Sequence, residues 1–407
     1  MAAIQPFRAI RPDPLYAGRL VFTKPQAESV SGDYEKSGGL KPLKTLLETG
    51  ARQRPETAEG QKMAYDDINN TLQNLLAGEQ LNRDKTPCIY IYEVIHQAYR
   101  QTGVWALTEL DDYRTQNIKI HELTFDDSIR RLKNYRENIG LEGSPILLTY
   151  PPDIAINRII AETKASKPKT TLGNQNGLHR LWKIEEPEML QHLIAAFSRV
   201  KTAYLADGHH RIESATKLAH EQKERGALVY DTISSLYMAT DQLRIEEYDR
   251  VVVPEEPLDK IKLFSELIKD FYIRESIENA PVQPKELHQL GLYIHGDWFH
   301  MLAKPHTYEN KSVAGSLDAS ILQDCVLSPV FGISDPKTDN KLKCAGGEKA
   351  MEEISALFQT YPTAICFTIC PLTVDQLIKV SEAGHILPPK STWIVPKIPY
   401  GLIMHKH

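Results

Sequence analysis

The sequence predicts a mixed α/β fold, and three observations carry that prediction. Apolar runs of strand length recur along the chain, several lead into stretches with apolar residues at helical spacing, and the C-terminal part mixes both patterns. The length of 407 residues allows two or three domains and a real hydrophobic core. The expected division is an N-terminal arm and helix over 1–80, a core over 81–255 and an α+β region over 256–407.

In chain order, the first 55 residues are rich in Pro, Gly and Lys and carry one helix, over 40–49, so they read as an irregular arm wrapped on the body. Met63, Ile68, Leu72, Leu75 and Leu76 share one helical face, which Gly78 ends. Residues 88–92 and 104–107 read as paired strands, with Gln101-Thr102-Gly103 as the turn. A charged helix over 126–138 leads to an apolar strand over 145–150 and a helix over 157–163. Residues 164–177, rich in Lys, Thr, Gly and Asn, read as a mobile loop. Residues 178–184 alternate like a strand, with Arg180 and Trp182 on one face and His179 and Leu181 on the other. A helix with Pro at its first turn spans 187–199, and 234–239 is another strand. Residues 246–256, with Pro254, read as a boundary. Beyond it come helices over 258–271, 317–327 and 374–383 and a hairpin turning at Gly296-Asp297. Thr373 caps the last helix and Gly384 closes it.

Composition excludes several function classes. Apolar residues make up 42% and charged residues 25%, and no run approaches the ~20 apolar residues that span a bilayer. The first residues show no apolar signal segment, so no membrane and no export are expected. A formal net charge of -5 argues against general nucleic-acid binding, which needs a basic surface. Cys88, Cys325, Cys344, Cys366 and Cys370 are an odd set without C-x-x-C spacing, which suits a reduced, cytoplasmic protein. Cys366 and Cys370 read as small buried hydrophobes rather than a metal or redox pair.

The most informative residues are Asp207-Gly208-His209-His210-Arg211. They lie between an apolar run at 203–206 and a stretch in which Ile212, Ala215, Leu218 and Ala219 recur at helical spacing. A glycine there permits a tight backbone path, helix-start amides attract anions, and Arg211 offers a planar fork that matches phosphate oxygens. His209 and His210 add donors whose charge changes near neutral pH. Asp207 repels phosphate, so it caps the helix, fixes a histidine tautomer or carries a divalent cation. The bland alternative is a solvated surface turn. Lys390, in Pro389-Lys390-Ser391-Thr392, is a further candidate for substrate contact, and Gly346-Gly347 is either a turn or a close-approach site.

The chain resembles the bacterial proteins grouped as domain of unknown function 1015. The matching stretches are Ile4-Gln5-Pro6-Phe7 with Ile10-Arg11-Pro12, Ile120-His121-Glu122-Leu123-Thr124, residues 177–182 and 206–211, Leu317-Asp318 with Gly332-Ile333, Gly346-Gly347 and Pro389-Lys390-Ser391-Thr392. The segment after Arg11 departs from the pattern, because it lacks the usual Pro-Tyr-Asp-Val run. The Asp-Gly-His-His-Arg element is also similar to the loop of ParB/sulfiredoxin-like nucleotide-binding folds, where Gly-x-x-Arg at a helix start holds nucleotide phosphates. Relatives of that fold include free-serine kinases. This resemblance implies a ParB/sulfiredoxin-like core, ATP or ADP as cofactor, and Glu122 as the base that deprotonates a substrate hydroxyl.

No Walker A motif, kinase catalytic loop or G-x-G-x-x-G fingerprint is present, so nucleotide chemistry must use the Asp207 loop. The leading expectation is a phosphotransferase acting on a small hydroxylated metabolite such as serine. Glu122 and Asp207 are its catalytic candidates, one of them for Mg2+, and Gly208, His209, His210 and Arg211 are its phosphate ligands. His121, Thr124, His179 and Lys390 are candidates for substrate contact. Two rivals are a nucleotide-sensing module without chemistry and a metal-dependent hydrolase using His121, His179, His209, His210 and Asp207.

Overall fold

A nine-stranded sheet organises the first part of the molecule. Its strands run in the order Ile118–Lys119, Ala203–Asp207, Ile146–Tyr150, Thr232–Ala239, Arg100–Glu109, Ile89–Ile95, Gly177–Ile184 and Thr170–Asn174, with Ile4–Gln5 also on Arg100–Glu109. The computed structural model describes residues 3–21, 41–48, 57–124, 126–174, 177–256, 258–277 and 280–407. The chain forms two compact units. One comprises Met1–Lys119, Thr124–Leu243 and Pro396–His407, the other Ile120–Leu123 and Arg244–Val395. The fold is mixed α/β.

In the first unit the sheet is parallel and antiparallel by turns: Thr232–Ala239 runs parallel to Ile146–Tyr150 and antiparallel to Arg100–Glu109. Its central strands are buried on both faces, and Ile89–Ile95 and Ile146–Tyr150 accordingly read as mostly apolar runs rather than alternating ones. Trp105, Tyr92, Tyr150, Phe197 and Tyr237 fill the core. Their rings meet edge-on or tilted, as in the 5.0 Å Phe197–Tyr237 pair. Buried polar ends are satisfied in place: Trp105 Nε1 donates to Ser234 Oγ at 2.8 Å, and the Thr108 and Tyr237 hydroxyls lie 2.7 Å apart.

One expected turn moves, and one expected loop holds a strand. Gln101, Thr102 and Gly103 lie inside the Arg100–Glu109 strand, and the hairpin closes at His96 and Tyr99, whose backbones bond each other. Gly103 marks a close approach instead of a turn, since a Cβ there would sit 2.7 Å from the Tyr237 carbonyl. The expected loop at 164–177 contains the edge strand Thr170–Asn174, whose polar composition hides a pairing with Gly177–Ile184. The expected helix over 40–49 is described as Leu43–Leu47. Most of the N-terminal arm lies outside the described residues.

Helices Asp126–Ile139 and His209–Glu224 pack side by side in parallel. Lys133 reaches Glu221 at 2.6 Å, and Arg225 reaches Glu137 at 3.0 Å.

The second unit holds a six-stranded sheet in the order Phe271–Glu275, Asp297–Ala303, Gln289–Ile294, Ile365–Ile369, Tyr248–Val252 and Leu342–Gly346. Leu292, Ile365, Phe367 and Val252 pack there with Ile321, Leu322 and Leu327. The hairpin turns at His295-Gly296, both at positive φ, one residue earlier than expected. The predicted helix at 317–327 splits into Asp318–Leu322 and a π turn, Gln323–Leu327. The last helix has a complete capping box between Thr373 and Gln376. Gly346 and Gly347 lie under Trp393: a Cβ on Gly346 would come within 2.7 Å of its ring, and Gly347 adds a φ of +81°. That contact accounts for both glycines.

Candidate functional site

Strand Ala203–Asp207 feeds directly into helix His209–Glu224, with Gly208 as the hinge. The strand shifts register between Leu205 and Asp207, a bulge that re-aims its last residue. Gly208 takes φ +103°, a left-handed conformation that glycine adopts without strain. It offers no side-chain cap to the first turn. A Cβ at 208 would sit 2.8 Å from Ile146 and 3.0 Å from two guanidinium nitrogens of Arg211, so space also demands glycine.

Arg211 folds back over this hinge and donates from Nη2 to Asp207 Oδ2 at 2.8 Å. Desolvation by its close neighbours pushes the exposed Asp207 carboxyl up, but Arg211, Lys397 and His209 outweigh it and hold it below the usual carboxylate range. His209 is buried and His210 partly so.

Arg211 also lines a cavity of about 870 Å3, within the ~300–1,000 Å3 range of small-ligand sites. Arg130, Arg131 and Arg136 line it from the neighbouring helix, Ser144 from the approach to Ile146–Tyr150, and Ser214 one turn beyond Arg211. Arg136 is buried and ion-paired with Glu142. Arg130 pairs with Asp127 on the exposed helix face, and Arg131 has no ion-pair partner among the described residues. Tyr65, Tyr135 and Tyr400 supply an aromatic wall. It is fixed in place: Tyr135 donates to the Leu47 carbonyl at 2.7 Å, the Tyr135 and Tyr400 hydroxyls bond each other, and the Tyr400 ring lies on Gly143.

The structure therefore brings Asp207, Gly208, His209, His210 and Arg211 together, and only Arg211 of the five lines the cavity. His179 is elsewhere. Its strand lies five places along the sheet from Ala203–Asp207, about 24 Å at ~4.8 Å per strand. There it is buried between Tyr92, whose hydroxyl lies 2.8 Å from Nδ1, and Asn174, whose Oδ1 lies 3.1 Å from Nε2. A neutral ring satisfies both bonds, and burial lowers its pKa to about 4. Trp182 is core, its Nε1 donating to the Ser166 carbonyl at 2.8 Å.

His121 and Glu122 belong to the second unit, Thr124 to the first. Glu122 is ion-paired with Lys337 at 3.0 Å, and the buried His121 accepts the Leu387 amide at its carbonyl. Lys390 takes φ +61°, and its carbonyl accepts from Arg250 at 2.9 Å. Among the described residues no group of three or more His, Cys, Asp or Glu side chains could hold a metal ion. All five cysteines are free, and burial raises the Cys366 thiol well above its ordinary value.

Sequence reasoning missed Arg130, Arg131, Arg136, Ser144 and the three tyrosines. On a charged helix, arginines read as a solvated face, and only the packing against His209–Glu224 shows which way they point.

Fold and site together define a mixed α/β protein with a strand–glycine–helix corner beside an arginine-lined cavity. The chain belongs to the family described as protein of unknown function (DUF1015), which matches residues 4–320. The expected resemblance is thus borne out. No curated protein matches the chain. Among solved structures, a free serine kinase in complex with AMP is similar at 14% identity and TM-score 0.37, covering 73% of this chain and 92% of that one. SbnI with a C-terminal truncation, from Staphylococcus aureus, gives 11% identity and TM-score 0.38, covering 73% and 87%. A conserved hypothetical protein from Pyrococcus furiosus gives 12% and 0.34, covering 73% and 95%. No helix among the described residues is long and apolar enough to cross a membrane.

Proposed function

We propose that the chain binds a nucleotide, ATP or ADP, through phosphate oxygens held at Arg211, and transfers a phosphoryl group to a small hydroxylated metabolite such as serine. One observation carries the binding step: Arg211, hung from a glycine hinge at a helix start, lines a cavity of ligand size that three further arginines share. Guanidinium forks match phosphate oxygens, and a tyrosine wall offers faces on which a base can stack. The residues present fit such a ligand. Asp207 is proposed as the carboxylate for Mg2+, which would neutralise charge between it and the phosphates. His209 and His210 are proposed as further donors.

Glu122 is proposed as the base on the strength of the His121-Glu122-x-Thr124 resemblance; its carboxylate is paired with Lys337. A second reading, a sensing module without chemistry, draws support from the same ion pairs: Asp207 is engaged by Arg211 and Glu122 by Lys337. Incubation with ATP or ADP and hydroxy amino acids separates the two. A phosphorylated product establishes the transferase, and saturable binding without product establishes the module.

A further inference from the structure

The Ile10-Arg11-Pro12 stretch has no part in the Arg211 cavity, yet it builds a charged recess of its own. Strand Ile10–Pro12 pairs with Leu81–Arg83 and sets Arg11 beside the buried Asp84. Arg11 Nη2 donates to Asp84 Oδ1 at 2.8 Å, Tyr90 donates to the other oxygen, and Lys183 Nζ lies 3.5 Å away. The Arg11 and Lys183 side chains are only 21% and 14% exposed. Two nearly buried cations thus share one buried carboxylate. Glu185, 3.0 Å from Lys183, answers one charge at the rim, where the exposed Lys169 adds another cation.

Burying charge without a counter-charge is unfavourable, and a donor buried without an acceptor costs about 1–3 kcal/mol. Arg11 Nε is such a donor: it is buried and has no acceptor among the described residues. The recess that the Arg11 side chain helps to line has a volume of about 300 Å3, and none of its lining residues lines the Arg211 cavity. We propose that this recess is a second anion site, which takes the carboxylate or phosphate group of a small metabolite against Arg11, Lys183 and Lys169. At the low end of the ~300–1,000 Å3 range it suits an amino-acid-sized ligand, not a nucleotide. Asn82 at the rim offers an amide to the rest of the molecule.

The test titrates the full chain, labelled with 15N-arginine, with sodium acetate and separately with inorganic phosphate. The Arg11 Nε–H resonance is assigned by its disappearance in Arg11→Lys. One or both anions should shift it saturably, the anion that saturates at lower concentration naming the ligand group. The shift should persist in Arg211→Ala, which keeps this site separable from the nucleotide reading. In Lys169→Glu, an exposed change that leaves the buried network intact, the anion should bind at least tenfold more weakly. A resonance that neither anion moves saturably, or a titration that Lys169→Glu leaves unchanged, overturns the proposal.

Discussion

Arg211 and Asp207 close a 2.8 Å ion pair across the Gly208 hinge, so the guanidinium proposed to hold phosphate is already engaged by a carboxylate of its own loop. An incoming phosphate must compete with that carboxylate for Arg211. Asp207→Asn removes the competitor and the repulsion, and without divalent cation it should tighten ADP binding several-fold. If Asp207 carries Mg2+, the same variant should lose the dependence of ATP affinity on Mg2+. Calorimetric titrations with and without Mg2+ read both effects, and an affinity indifferent to the change in both would remove Asp207 from the site.

Gly208→Ala places a Cβ against Arg211 and Ile146 in a left-handed conformation. It should destabilise the first unit by about 1–3 kcal/mol and displace the guanidinium. Urea denaturation gives the first quantity, nucleotide titration the second. A variant as stable and as tight-binding as the parent would show that the hinge tolerates a side chain.

Glu93 is fully buried and faces three cations: Arg100 at 3.0 Å, Lys164 at 2.5 Å and Arg180 at 3.5 Å. Removing one partner of a buried ion pair leaves the others uncompensated, at about 3–5 kcal/mol. Glu93→Ala should lower the denaturation midpoint accordingly. The partly exposed lysine and arginines can move toward water, so the lower end of that range is expected.

The two units should respond to pH in opposite senses. Burial holds His179 near 4, His407 near 3 and His405 near 2 in the first unit. Neutral histidines stabilise it above their unfolded value of ~6.5, and that stability is lost as pH falls below it. In the second unit burial raises Asp249 and Asp318 to about 7. Their neutral forms stabilise it below the ordinary carboxylate range, and that contribution is lost as pH rises through 7, on the order of a few kcal/mol. Hydrogen exchange at pH 5 and pH 8 should show the first unit opening more readily in acid and the second in base. Asp318→Asn should flatten the second trend, and identical trends in both units would contradict these assignments.

Much of the fold was legible because long apolar runs and caps are local signals. The strands at 146–150 and 232–239, the capping box at Thr373 and the strand-to-helix corner at Asp207 all announce themselves in a few residues. What stayed hidden depends on partners far along the chain. Gly103 reads as a turn until the Tyr237 backbone is beside it, Thr170–Asn174 reads as a loop until its neighbour pairs with it, and residues 396–407 return to the first unit. The site divides the same way. Asp207 to Arg211 form one local motif, whereas the arginines of helix Asp126–Ile139 and the Tyr400 wall reach the cavity only through tertiary packing.

Glu122→Gln tests the chemical step. It should leave nucleotide affinity within about twofold and abolish product formation, because an amide cannot accept the substrate proton. Retained turnover in a coupled nucleotide assay would assign the base elsewhere.

The most direct measurement is calorimetric titration of ADP and ATP into the parent chain and into folded Arg211→Ala. Saturable binding weakened by about 10- to 100-fold, or ~1–3 kcal/mol, is the predicted loss of a charge-assisted phosphate contact. Nucleotide that fails to bind the parent, or binds both chains equally, would contradict the account.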